Sequence, residues 1–201
     1  MIIDPHIHTK FSPCSQIGLK DLFNTSINIG LNAIIITDHN ILSFQILEKL
    51  PNEYKEDLLV LIGEEITSVD GDILAYGIKN VVPQGLTAEK TIELIHAQNG
   101  IAIAAHPYRL FHKGYSPFGL GDKIFELNLD AIEGINGGNS IESNRKAVKA
   151  AKTLNLPAIG GSDAHFSNDI GKVIMKIPEI KKIEEFIKCV KEKRFRVFSR
   201  F

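Results

Sequence analysis

A chain of 201 residues is long enough to bury a real core, and one domain spanning residues 1–201 is expected. With 44% hydrophobic and 23% charged residues the composition is globular, and a net charge of −1 gives no basic stripe for duplex nucleic acid. Two cysteines, Cys14 and Cys189, make no disulfide framework, and neither a cationic-then-apolar leader nor a membrane-length apolar run is visible, so a soluble cytoplasmic protein without a membrane partner is expected.

Ile2–His8 reads as a strand, on which a period of two would put Asp4, His6 and His8 on one face and Ile7 on the other. Thr9–Gly18 is a loop of turn formers. Leu19–Ile29 carries Leu19, Leu22, Phe23 and Ile27 at helical spacing, with Gly30 as C-cap. The apolar run Ala33–Thr37 is too short for a helix and reads as a buried strand ending at Asp38-His39-Asn40. Phe44–Leu50 is a short helix stopped by Pro51, and Leu58–Ile62 a strand leading to Gly63-Glu64-Glu65. Asp72–Ile78 is a further strand, and Thr87 caps a helix running to Gln98. Ile101–Ala105 is a strand ending at His106-Pro107. Tyr108–Asp122 is a Gly/Pro-rich loop able to cover a site. Ala131–Ile135 is a strand, Ser140–Leu154 a helix, and Ala158-Ile159 a strand followed by Gly160-Gly161-Ser162-Asp163-Ala164-His165. Ile180–Val190 closes the helical pattern, the basic residues from Lys191 to Arg200 solvate its end, and Arg196–Phe201 is a last strand.

Strand and helix alternate about seven times, which implies a parallel sheet with helices outside. A regular eightfold barrel takes about 250 residues, so 201 residues suit a shortened or irregular barrel, with an open doubly wound sheet as the other architecture. The strand ends are where the chemistry collects. His6 and His8 end the first, Asp38 and His39 the second, Glu64 and Glu65 the third; His106, then Asp163 and His165, end later ones. Parallel barrel strands deliver their C-terminal ends to one rim. Buried charges there need compensation, and nitrogen and carboxylate donors without a thiolate cluster match zinc, manganese or iron. His96, within a helix, reads as a packing or surface residue, and His112 as a solvent-exposed loop residue.

In this order the motifs His6-Ile7-His8, Thr37-Asp38-His39, Gly63-Glu64-Glu65-Ile66, Ala105-His106-Pro107 and Gly161-Ser162-Asp163-Ala164-His165 resemble the PHP (polymerase and histidinol phosphatase) family from residue 4 to about 166. The resemblance implies a distorted (β/α)7 barrel, an α/β fold whose metal site lies at the C-terminal ends of the strands and holds two to three divalent ions. It also implies that His6, His8, Glu65 and Asp163 hold one metal, that Glu65 bridges to a second held by His106, and that His39 and His165 serve a third. Glu65 rather than Glu64 is chosen because the family's glutamate stands two residues after the glycine. Asp38 is assigned to orienting its neighbours and Asp4 to support. The chain departs from the family pattern twice: Asp72 stands where many members carry a histidine, and Pro13 and Cys14 stand where members carry a third-metal Asp or His. Asp72 and Cys14 are therefore the added ligand candidates.

Two ions bridged by a carboxylate share a hydroxide and hold a phosphoryl oxygen in line, and no Ser or Cys nucleophile motif is present. The expected activity is hydrolysis of a small phosphorylated metabolite or nucleotide by that hydroxide, with Glu65 and Asp163 at its centre. Arg109 is the first choice of phosphate clamp because its planar fork suits phosphate, Lys10 the second and Arg145 the third. Competing readings are amide or lactone hydrolysis and a non-catalytic, metal-stabilised module. Substrate specificity is expected from the Tyr108–Asp122 and Gly137–Ser140 loops.

Overall fold

A computed structural model describes residues 1–49, 51, 54, 56–109 and 119–200. His112, most of the Tyr108–Asp122 loop, Leu50 and Phe201 lie outside the described residues. The elements are β1 (Ile2–Ile7), α1 (Leu19–Asn28), β2 (Ala33–Ile36), α2 (Gln45–Lys49), β3 (Leu59–Thr67), β4 (Asp72–Tyr76), α3 (Ala88–His96), β5 (Ile101–Ala104), β6 (Ala131–Asn136), α4 (Ile141–Thr153), β7 (Ala158–Gly161), β8 (Val173–Lys176), α5 (Ile183–Lys191) and β9 (Arg196–Ser199). No helix among the described residues is long and apolar enough to cross a membrane.

The strands form one sheet in the order β7-β6-β5-β4-β3-β2-β1-β8-β9. It curls until the end of β7 meets β1: the Asp163 amide donates to the His6 carbonyl at 2.8 Å, and the His8 amide to the Ala164 carbonyl at 3.0 Å. The result is a nearly closed α/β barrel, as expected, but not an all-parallel one. β4 runs antiparallel to both β3 and β5. Only Ser68–Gly71 separates β3 from β4, whereas a parallel crossover needs a dozen or more residues. β8, which the sequence pattern did not reveal, pairs antiparallel with the start of β1 and carries β9 beyond it.

Alternation gives the sheet two apolar faces. Ile34, Ile62, Ile73, Ala104 and Ile132 pack outward against Leu22 and Phe23 of α1, Ile92 and Ile95 of α3, and Ala147 and Ala151 of α4. Ile35, Leu61, Leu74, Tyr76 and Ile103 pack on the other face with Phe186 and Val190 of α5. Tyr76 meets Phe186 edge-on at 5.3 Å, and its hydroxyl donates to the Pro5 carbonyl at 2.8 Å. Thr87 and Ser140 cap α3 and α4 by accepting the amides of Lys90 and Ser143.

Two bulges decide which polar side chains reach the interior. Asp4 pairs with Ile34 and Ile7 with Ile36, so β1 has one residue more than β2 over this stretch. Asp4 therefore shares a face with Ile7, opposite His6 and His8, which corrects the simple period-two expectation. Pro5, with no amide to give the ladder, is the residue that marks such an irregularity. β6 does the same at Gly134: Glu133 pairs with Ile159 but Ile135 with Gly160. Glu133 and Asn136, three apart, consequently meet on one side, with Asn136 Nδ2 donating to Glu133 Oε2 at 2.9 Å.

β3 continues through Glu64 and Glu65 to Thr67, so these two glutamates face opposite ways rather than ending the strand. Glu64 is buried on the outer side, where Oε2 accepts the Val82 amide at 3.2 Å and Oε1 has no partner. Burial pushes its carboxyl from the usual 4.5 up to about 7. A raised carboxyl favours the protonated fold, so its stability contribution is intact below pH 4.5 and is lost as pH rises through about 7. Glu64→Gln should gain about 1–2 kcal/mol over wild type near pH 8 and about nothing near pH 4, read as denaturation midpoints across that range.

Candidate metal centre

β1, β2 and β3, running parallel, bring His6, His8, His39 and Glu65 to the mouth of the barrel. β4, being antiparallel, brings its first residue, Asp72, to the same end. β5 ends at His106 and β7 leads into Asp163, both at left-handed backbone angles (φ 28° and 53°) that turn the chain sharply at the rim. Gly161 permits the closest approach of β7, because a Cβ there would lie 2.5 Å from the His6 Cβ.

Four buried side chains point at one place. His6 Nε2 and His8 Nε2 stand 3.2 Å apart. Glu65 Oε2 is 3.2 Å from the first and 2.9 Å from the second, and Asp163 Oδ1 is 3.4 Å and 3.2 Å from them. A tetrahedral ion with ligand bonds of about 2.1 Å separates its ligand atoms by about 3.4 Å. The five distances of 2.9–3.4 Å are five of the six edges of such a shell, and no side chain of this group is more than 2% exposed. These residues fit a divalent metal.

A second group, Glu65, Asp72 and His106, shares the glutamate through its other oxygen, with His106 Nε2 2.9 Å from Glu65 Oε1. Asp72 is fully buried, and neither carboxylate oxygen reaches a hydrogen-bond donor among the described residues; Thr67 opposite eases the charge without hydrogen-bonding geometry. Burial, then the nearby Glu65 carboxylate, pushes Asp72 well above the usual carboxylate range. A cation is what such a carboxylate lacks. The third group is His8, Cys14, His39 and His165. The His8 ring stacks on His39 at 4.7 Å and on His165 at 4.4 Å.

The charges of the mouth hold one another. Burial opposes ionisation of Glu65, yet His6, His39 and the His106 hydrogen bond keep it well below the usual range. Asp163 is likewise held low against burial, by Arg109, His6 and His8. Burial disfavours charge on His8, but Asp163 and Glu65 raise it to about 9. Burial, with His8 and His165 beside it, lowers His39 to about 4. Burial, then Glu65 and Asp163, pushes the Cys14 thiol up to about 12.

Other residues position these. Glu133 was missed in the sequence, although one acidic residue inside the apolar run Ala131–Ile135 was its signal. It is fully buried, takes His6 Nδ1–H on Oε1 at 2.8 Å, and accepts the His106 amide on Oε2 at 2.8 Å. That bond leaves the Nε2 lone pair of His6 facing the mouth. Asp38 accepts four bonds of 2.7–2.8 Å from the Thr9 amide and hydroxyl and the Ser12 and Ser43 hydroxyls. Ser12, also missed, accepts the His39 amide at 2.8 Å and lies 3.3 Å from His8 Nδ1, so Asp38 acts on both histidines through it. Asp4 accepts the Ser162 and Gly171 amides at 3.0 and 2.9 Å, tying β1 to the segment after β7.

Arg109 reaches into the mouth. Its Nη2 donates to Asp163 Oδ2 and to Asn136 Oδ1, and its Nε to Asn139 Oδ1 at 3.1 Å. Lys10 is exposed, its ammonium beside Gly18 before α1, and makes no contact with the clustered groups among the described residues. Arg145 is exposed on α4. His96 is bound to Asp130 at 2.7 Å, outside the site.

Fold and site together define an α/β barrel with a buried histidine and carboxylate ligand set at its mouth. Residues 4–118 match the PHP domain family and residues 142–195 the PHP-associated family, and the chain belongs to the PHP domain family. It is 36% identical over 167 residues to the uncharacterized protein MJ1587 of Methanocaldococcus jannaschii, covering 77% of this chain and 94% of that one. Among solved structures it resembles a two-domain Bacteroides vulgatus protein described as containing a predicted PHP-like metal-dependent phosphoesterase. There the TM-score is 0.77 and the identity 17%, over 99% of this chain and 64% of that one. It also resembles the lesion-specific endonuclease PfuEndoQ of Pyrococcus furiosus, with TM-score 0.67 and 18% identity over 96% of this chain and 56% of that one.

Proposed function

We propose that this chain is a metal-dependent phosphoesterase acting on a small phosphorylated metabolite or nucleotide, with two to three zinc, manganese or iron ions. The observation that carries the reading is the tetrahedral set of His6, His8, Glu65 and Asp163, joined through Glu65 to His106 and Asp72. Bound there, the ions supply Lewis acidity and activate water for attack on phosphorus. The chain's own residues do the rest. Glu65 ties the two groups together, Glu133 holds His6 in its ligating tautomer, and Arg109 is aimed by Asn136 and Asn139 at the edge of the cluster. Its fork, already on one carboxylate, is suited to take a phosphate oxygen and to orient the ester.

A cleft of about 440 Å³ lined by Tyr108, Asp122, Phe125, Lys146 and Lys149 lies on the α4 side of the barrel, and none of the clustered ligand-type residues lines it. The endonuclease likeness shows the fold alone.

The test is metal analysis of the purified protein, then hydrolysis of a phosphomonoester, a phosphodiester and a carboxylic ester with and without added manganese. Metal-dependent turnover of either phosphoester supports the reading. Turnover of the carboxylic ester alone overturns it in favour of amide or lactone chemistry, and neither metal nor turnover leaves a non-catalytic module. Arg109→Ala should raise KM for the phosphoester about 10–100-fold, the loss of a charge-assisted bond, and Arg109→Lys should recover little of it. A KM unchanged in steady-state assays would remove Arg109 from substrate binding.

A further inference from the structure

We propose that Cys14 is a thiolate ligand, completing a third metal position with His39 and His165 that selects a softer ion than the carboxylate groups beside it. The inference rests on the metal-dependent reading above. The Cys14 sulfur and one ring nitrogen each of His8, His39 and His165 lie within 4.8 Å of one another. His8 already faces Glu65 and Asp163 through Nε2, so the sulfur, His39 and His165 form the outer side of the cluster.

One ring in the group also carries a buried atom without a partner. His39 Nδ1 is buried and has no hydrogen-bond partner among the described residues, and its Nε2 is 3.4 Å from Glu65 Oε2. A buried, unpartnered ring nitrogen in a group of one sulfur and neighbouring imidazoles is what a cation would resolve.

The loop is also fixed so that the sulfur stays there. Ser12 receives the His39 amide, the Gln16 amide donates to the His165 carbonyl at 3.0 Å, and Ser15 Oγ donates to the His8 carbonyl at 3.0 Å. The residues around Cys14 are thus bonded to the two histidines it would join and to His8 behind them. Pro13 offers no ligand atom, so sulfur replaces oxygen in this loop. Thiolate with two imidazoles favours zinc or ferrous iron, whereas carboxylate would favour manganese. Binding releases the thiol proton to solvent as the sulfur–metal bond forms.

The test is cobalt(II) loading of the full chain, read by metal content, near-ultraviolet sulfur-to-cobalt charge transfer, and Cys14 labelling by a thiol-specific reagent. Wild type should show the charge-transfer band and slow labelling when loaded. Cys14→Ser should lose the band and weaken the last-bound ion at least about 10-fold. Cys14→Asp should restore the ion without the band and shift preference toward manganese. Cys189→Ser, altered on the α5 side, should keep the band. Loaded protein that lacks the band, or a band that survives Cys14→Ser, overturns the role of Cys14 alone. Protein that takes up no cobalt overturns the metal reading as well, and metal content tells the two failures apart.

Discussion

Glu65→Ala is expected to lower kcat/KM for a phosphoester at least about 10³-fold, about 4 kcal/mol, and to reduce the metal held per chain while leaving the barrel folded. The reason is concentration of function in one carboxylate. Oε2 lies within 3.4 Å of nitrogens of His6, His8 and His39, and Oε1 is 2.9 Å from His106. No other described carboxylate touches both the His6–His8 pair and His106 this closely; Asp163 reaches His106 only at 4.0 Å. Glu65→Asp should fare little better, since shortening the chain by one methylene withdraws the group from one cluster or the other. Metal analysis and steady-state kinetics on both variants check this, with far-ultraviolet circular dichroism for the fold. A Glu65→Ala protein with full metal and full phosphoesterase activity would sink the proposed function.

Much of this centre was legible because ligand-type residues at strand ends are costly anywhere else. The strand ends His6-x-His8, Asp38-His39, Glu64-Glu65, His106 and Asp163-x-His165 could be read directly, the choice of Glu65 over Glu64 came from the family resemblance, and the structure gathers His6, His8, His39, Glu65, His106, Asp163 and His165 at one mouth. Asp72 and Cys14, marked only as departures from a family pattern, also fall in the clusters. What periodicity could not supply was any break in it. Asp4 was placed with His6 and His8 because a strand was assumed regular, and the bulge at Pro5 moved it to the opposite face. Glu133 and Asn136 become neighbours only through the extra residue at Gly134. In both strands a proline or glycine stood at the fault and was the available signal. The antiparallel β4 follows from a four-residue connection that appears only once β3 runs on to Thr67, beyond the strand end expected at Ile62, whereas β8 pairs with the first strand across most of the chain and left no local sign.

Glu133→Ala tests whether the residue that periodicity hid matters as much as those it displayed. The substitution strands three buried donors from three elements: His6 Nδ1–H, the His106 amide and Asn136 Nδ2–H. Each lies in an interior that water does not fill cheaply, so a loss of about 3–5 kcal/mol in stability is expected for the metal-free protein. Metal affinity should fall about 10–100-fold, because His6 is no longer held in the tautomer that presents Nε2. Glu133→Gln should sit between, as its amide keeps one acceptor but turns an NH2 toward a donor. Denaturant titration with and without metal, and chelator competition, measure both quantities. Equal stability and equal affinity would mean that His6 is oriented by β1 alone. A stability loss without an affinity loss would make Glu133 a core residue only. The expectation of both follows from a single carboxylate that accepts one bond from a ligating ring and another from the backbone of a second.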